Sequence, residues 1–176
     1  MKNQIIITAL LLLTAFSSCK KDAKEPEVSL AAGATVTAGL YGFDGGTSGK
    51  FSSTKAGITQ VTAAGITTFS ISAIKDGSNE SFTLIILKKI TTTGKISFGS
   101  ALSNGGMIIS KDYTKPADQA LNYSSDRNSR LMQGGGEINV TKLDGNEIEG
   151  TFTAICFNNA EKEAFAEQGT FKGTIK

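Results

Sequence analysis

Apolar and polar residues alternate in short runs through most of the chain. In Thr67 to Ile74 (TTFSISAI), Phe69, Ile71 and Ala73 fall on one side and Thr68, Ser70 and Ser72 on the other. Period two over this length predicts a half-buried strand. Ser81 to Lys89 (SFTLIILKK) puts Phe82, Leu84 and Ile86 on one face, while Ile85 and Leu87 make the other face partly apolar, as in a more central strand. Asp76-Gly77-Ser78-Asn79 between them tolerates positive φ, so the two runs are expected to pair as a hairpin.

The clearest unit is Gly134 to Phe157, GGGEINVTKLDGNEIEGTFTAICF. Ile138 and Val140 alternate with Asn139 and Thr141, Asp144-Gly145 supplies a hairpin turn, and Ile148, Phe152, Ala154 and Cys156 follow on one face. Gly150 shares that face, which marks a bulge or the close approach of another strand. Cys156, on the apolar face, is expected to act as a small core hydrophobe. A last strand from Gln168 would turn Phe171 and Ile175 inward. Only Asn159 to Gln168 (NAEKEAFAEQ) has a helical composition, and it reads either as one or two helical turns or as a polar loop. The chain holds 20 glycines, and turn residues recur about every ten positions, the spacing of an all-β fold. The expectation is one antiparallel β-sandwich or barrel of about 8–10 strands, with at most one short helix, over residues 28–176. About 150 residues bury enough surface for one core without staples.

The N-terminus follows another pattern. Lys2 precedes the apolar run Ile5 to Phe16, the layout of a signal peptide over residues 1–18. Twelve helical residues span about 18 Å, short of a ~30 Å hydrocarbon core. Phe16-Ser17-Ser18-Cys19 then resembles the lipobox of bacterial lipoproteins, with Phe16 in place of the usual aliphatic residue. The resemblance implies that Cys19 is acylated and becomes the first residue of the mature chain. The alternative is a free thiol just past an ordinary cleavage site, a liability in an oxidising compartment. Lys20 to Glu27 (KKDAKEPE) has no apolar face and reads as a solvated tether following Cys19. Lys20 is not the Asp that in many Gram-negative lipoproteins signals inner-membrane retention, and the charged cluster resembles the surface-export signals of some of them, so the resemblance implies the outer membrane, facing the periplasm or outward. The partner expected from this end is the lipid bilayer, through acylated Cys19.

The lipobox, Gly49-Lys50-Phe51, the long alternating pair, GGGEINVTKLDGNEIEGTF and the later QGTF together resemble a family of uncharacterised Gram-negative lipoproteins. These motifs are hairpin turns and strand glycines, so the resemblance implies a small all-β domain and a location and carries over no catalytic residue.

Charge and composition narrow the chemistry. Eighteen Lys and Arg stand against 16 Asp and Glu, a balance that argues against a nucleic-acid binder. The chain has no histidine, which excludes Ser-His-Asp and Cys-His constellations and imidazole-based zinc sites. Gly45 to Lys50 (GGTSGK) lacks the spacing of a phosphate-binding loop, and Phe51 replaces its hydroxyl residue. No cofactor or metal site is expected, and the chain reads as a non-enzyme. The most function-like stretch is Ser110 to Gly136, a long polar segment carrying Tyr113, Tyr123, Arg127 and Arg130. Tyrosine and arginine on loops of a rigid scaffold are frequent binding residues, and Tyr41 and Phe43 could complete such a patch. The bland alternative is a short strand near Ala120 to Tyr123 between ordinary loops. The leading expectation is a membrane-anchored binding module for an envelope protein or glycan. Two alternatives stay open: a carboxylate-based enzyme acting on glycans, and a structural accessory subunit of an envelope complex.

Overall fold

The alternating runs become ten strands, all paired antiparallel, in a computed structural model that describes residues 33–46 and 48–176. The signal, Cys19, the charged tether and residues 28–32 lie outside the described residues. The strands are β1 (Ala34–Phe43), β2 (Gly49–Ala63), β3 (Ile66–Ile74), β4 (Ser81–Ile86), β5 (Gly94–Gly99), β6 (Gly105–Ser110), β7 (Asn122–Ser124), β8 (Gly135–Asp144), β9 (Glu147–Phe157) and β10 (Glu163–Thr174). Eight of them close a ring in the order β10-β1-β2-β3-β4-β6-β7-β9, with β9 pairing back onto β10. Between sandwich and barrel, the fold is a barrel. β8 and β5 continue outward from β9, because β7 touches β9 only at Ser124–Phe157 and leaves the rest of that edge to β8.

The expected hairpins are present. β3 pairs β4 across Asp76–Glu80, and Phe69, Ile71, Ala73, Phe82, Leu84 and Ile86 are all buried. β8 pairs β9 across Asp144–Glu147, with Ile138, Val140, Ile148, Phe152, Ala154 and Cys156 buried. Phe171 and Ile175 point inward as expected.

The helical reading of Asn159 to Gln168 is overturned: β10 begins at Glu163. Ala164 and Ala166 are buried, alternating with the half-buried Phe165 and Glu167, and this run pairs with β9 on one side and β1 on the other. Pairing on both edges outweighs a weak helical propensity. The turn before it is built by Asn158, whose Oδ1 accepts from the Ala160 and Lys162 amides at 3.0 Å each.

Inside the barrel, rings touch in series. Tyr123 packs on Phe43, Phe43 on Tyr41, Tyr41 on Phe51, Phe51 on Phe82 and Phe82 on Phe152, with centroids 5.1 to 5.3 Å apart. An eight-stranded ring has room for such a packed interior. Gly150 shows how tightly it is filled. A Cβ there would stand 2.4 Å from the Phe171 ring and 2.4 Å from the Asn139 carbonyl, and the strand opposite is bulged between Val140 and Lys142.

Gly150→Ala is therefore expected to destabilise the protein by about 1–3 kcal/mol through overpacking, read as a lowered denaturant midpoint. Combined with Phe171→Leu, the loss should be smaller than the sum of the two single changes. Strict additivity would show that the ring does not press on the glycine.

Candidate functional site

The antiparallel pairing gathers the ends of β1, β3, β6 and β9 and the starts of β2, β4, β7 and β10 at one end of the barrel. Here called the loop end, it carries the β6–β7 loop, the β7–β8 loop and the β9–β10 turn. The opposite, root end is where β1 begins.

The β6–β7 loop lies across the loop end. Its Tyr113 amide donates to the Asn79 carbonyl of the β3–β4 turn at 3.0 Å, and its Ala120 carbonyl accepts from Asn158 Nδ2 at 3.0 Å. Beneath it sits a polar cluster at the last ring of the aromatic series. Tyr123 Oη donates to Asp44 Oδ1 at 3.0 Å, Lys111 Nζ pairs with Asp44 Oδ2, and the same ammonium lies 5.0 Å from the Phe43 ring centre and 5.5 Å from that of Tyr123. Burial works against ionisation of Asp44, but the bonds from Lys111 and Tyr123 and the attraction of Lys111 and Lys162 outweigh it and hold the carboxyl below its ordinary range. For Lys111, burial pulls the other way, and its bonds to Asp44 and Tyr123 win and raise it.

Beside this cluster the β7–β8 loop makes a tight turn. Ser129 Oγ accepts from the amides of Leu131 at 3.3 Å and Met132 at 3.0 Å. The Ser129 amide donates to the Met132 carbonyl at 2.9 Å. Asn128 Oδ1 accepts from Ser100 Oγ at 2.7 Å and from the Gly134 amide at 3.1 Å. The Arg130 amide donates to Glu161 Oε2 at 3.1 Å. These bonds fix a turn whose tip carries Arg130, Leu131 and Met132, with Leu131 94% exposed. A large apolar side chain held out by so many bonds is the most conspicuous feature of this end.

No family model matches the chain, and neither does any curated protein or solved structure.

The four residues singled out from the sequence share the loop end without forming one surface. Tyr113 is exposed over the β3–β4 turn, whereas Tyr123 is 1% exposed and belongs to the core. Arg127 is half-buried, bound through Nη2 to Gln119 Oε1 at 3.1 Å. Arg130 is exposed, with Nε 3.6 Å from Glu161. Phe43 does pack on Tyr123 and Tyr41 packs on Phe43, but Tyr41 is buried, so the trio forms a plug at the end of the barrel. Leu131 and Met132 were overlooked; an adjacent apolar pair inside a polar segment was their only signal. Asp44 and Lys111, 67 positions apart in sequence, had none.

The carboxylates Asp44, Glu80, Asp112, Glu137, Glu149 and Glu161 each pair with a lysine or arginine. Among the described residues no group of three or more acidic or cysteine side chains is placed to hold a metal. Cys156 is buried with Sγ 3.5 Å from the Met107 carbonyl, and burial, with a smaller push from Asp126, drives its thiol far above the ordinary range. On the barrel wall, Ile85, Leu87, Leu102 and Ile108 line a shallow groove of about 400 Å³ between β4, β6 and the β5–β6 loop. That groove accounts for the second apolar face of β4.

Asp44 titrates lower folded than unfolded, so its stabilising contribution is complete above the unfolded carboxyl range and is lost as pH falls through the folded value. Asp44→Asn should be less stable than the native chain at neutral pH, and the gap should close on acidification, measured as denaturant midpoints across a pH series. Cys156 should resist thiol reagents in the native state and react only as fast as the barrel opens, followed by mass shift over time with and without denaturant.

Proposed function

We propose that this protein is a lipid-anchored, non-catalytic interaction module of the cell envelope, held in the outer membrane through acylated Cys19, and that its loop end docks onto an envelope protein or glycan. The Leu131 tip is the observation that carries this reading. An exposed leucine flanked by Arg130 and Met132, on a turn already fixed by hydrogen bonds, loses little conformational freedom on binding, and preorganisation of this kind is what makes a small contact effective. The barrel interior, by contrast, is filled with aromatic rings, which favours recognition on the outside. The ion-paired carboxylates favour contact over acid–base chemistry.

The anchor fits this arrangement. The chain between Cys19 and Ala34 reaches about 50 Å at most when fully extended, and it joins the barrel at the root end, away from the docking tip. The resemblance to Gram-negative lipoproteins supports the same reading, as does the signal-like run from Ile5 to Phe16.

Cys19→Ala should move the protein from the membrane pellet to the soluble fraction, and intact mass of the native protein should show fatty acids on residue 19. A photo-crosslinking amino acid at Leu131 should give a discrete adduct in living cells, absent when the same group stands at Thr151 on the barrel wall. A chain that stays soluble without fatty acids would remove the anchor. Equal labelling from both positions would remove the docking tip.

A further inference from the structure

At the root end, the β2–β3 hairpin runs past the described parts of both neighbours, with Lys176 bonded along β2 as far as Gln60. β1 begins opposite Ala56 and β4 ends opposite Phe69, so the pairs Val61–Thr68, Thr62–Thr67 and Ala63–Ile66 project beyond the ring, about 10 Å at the rise of a strand. Ala64 and Gly65 close the tip at φ 50° and 80°. The projecting hairpin has two different faces. Thr62 and Thr67 bond to each other at 2.8 Å on the side that continues the barrel interior. Val61, Ala63 and Ile66 share the outward side, with Val61 58% and Ile66 62% exposed.

Two further features make this projection unusual. From Gly57 to Ile74 the sequence contains no charged residue, although exposed strand edges are ordinarily protected by lysines or other charges against pairing with other chains. Lysines stand at the base of the hairpin: Lys88 and Lys89, both exposed, precede Ile90, whose amide donates to Gln60 Oε1 at 2.7 Å, and the backbone of Lys176 bonds to the Ile58 carbonyl and the Gln60 amide. Among the described residues, the acidic Asp144 and Glu147 of this end belong to the β8–β9 turn instead.

We infer that the β2–β3 hairpin tip is a membrane contact, seating Val61, Ala63 and Ile66 at the headgroup–acyl boundary of a phospholipid bilayer with Lys88 and Lys89 at the phosphates. An apolar tip backed by cations is the chemistry of an interfacial anchor. The hairpin satisfies its own cross-strand hydrogen bonds, and its remaining edge groups stay hydrated at headgroup depth. The orientation rests on the lipid-anchor reading, since Ala34, where the tether joins, marks this same end. Acyl chains and hairpin would then make two contacts on one membrane and fix the barrel with its loop end outward.

The chain has no tryptophan, so Ile66→Trp places a single reporter at the tip and Tyr113→Trp a matched one at the loop end. The full chain, purified from its native host, is bound to phosphatidylethanolamine–phosphatidylglycerol vesicles with or without brominated acyl chains, and binding is verified by flotation. The Ile66→Trp emission should shift to the blue and be quenched at least twofold by bromine, with Tyr113→Trp unchanged. Equal emission from both reporters, or an unquenched Ile66→Trp on vesicle-bound protein, overturns the inference. Intact mass of the same sample tests the anchor separately: acylated but unquenched protein sinks the hairpin contact alone. If Cys19 carries no fatty acid the anchor reading falls, and coupling its thiol to a maleimide phospholipid supplies the tether, Cys156 being buried. Quenching then upholds the hairpin contact, and its absence overturns it.

Discussion

Cross-strand pairs of glycine and phenylalanine let aromatic rings pack flat on the sheet, three of them between strands of the closed ring and one between β5 and β8. Gly42 faces Phe165, Gly136 faces Phe98, Gly150 faces Phe171 and Gly169 faces Phe152. At each glycine an added Cβ would come within 2.4 to 2.9 Å of the opposing ring. A ring can lie flat across the neighbouring strand only where the partner has no side chain, and directly opposed residues are the closest side-chain neighbours a sheet offers. Phe98, Phe152 and Phe171 thereby become buried, each worth about 1.5–3 kcal/mol of apolar burial. β9 supplies Gly150 and Phe152 to this system while bonding β10 on one edge and β8 on the other, so closure of the ring and filling of its interior depend on the same strand.

The two ends of the barrel meet water differently. The loop end is closed by polar groups that satisfy one another: Tyr123, Asp44 and Lys111 cap the aromatic series, and a partly buried charge is tolerable there because it is both paired and hydrogen-bonded. The root end is closed by apolar and backbone contacts. Ile90 folds in over Gln60, and the Ile175 and Lys176 amides donate to the carbonyls of Asn146 and Ile58 at 2.8 and 3.1 Å. One end offers a fixed tip carrying arginine, leucine and methionine, and the other a projecting uncharged hairpin. In the proposed lipid-anchored module this asymmetry gives one end to the membrane and one to a partner.

The parts legible in the sequence are those in which local pattern and tertiary environment agree. Period-two alternation located β3, β4, β8 and β9, because one face of each strand meets the core and the other meets water. Asp144-Gly145 announced its hairpin because the turn's backbone demands those residue types. Gly150 was readable as a site of close approach since a glycine on the apolar face of a strand has few other reasons to be there. Asn159 to Gln168 misled because alanine and glutamate favour a helix in isolation, and only the two open edges of β1 and β9 convert that run to a strand. The projecting hairpin was not foreseen at all: Val61 and Ile66 look like ordinary strand hydrophobes until the neighbouring strands are seen to stop short.

By itself, the order of residues determined an all-β chain, its main hairpins, the inward faces of its strands, and an N-terminus patterned as a signal followed by a cysteine. These depend on interactions between residues close in sequence or on a simple period. Whether the strands closed into a barrel, where β8 and β5 attach, and which loop residues share an end were decided by pairings between distant segments. Asp44 meets Lys111 and Tyr123 because ring closure brings the β1–β2 turn over the start of β7, a consequence of strand order and register that no local pattern encodes.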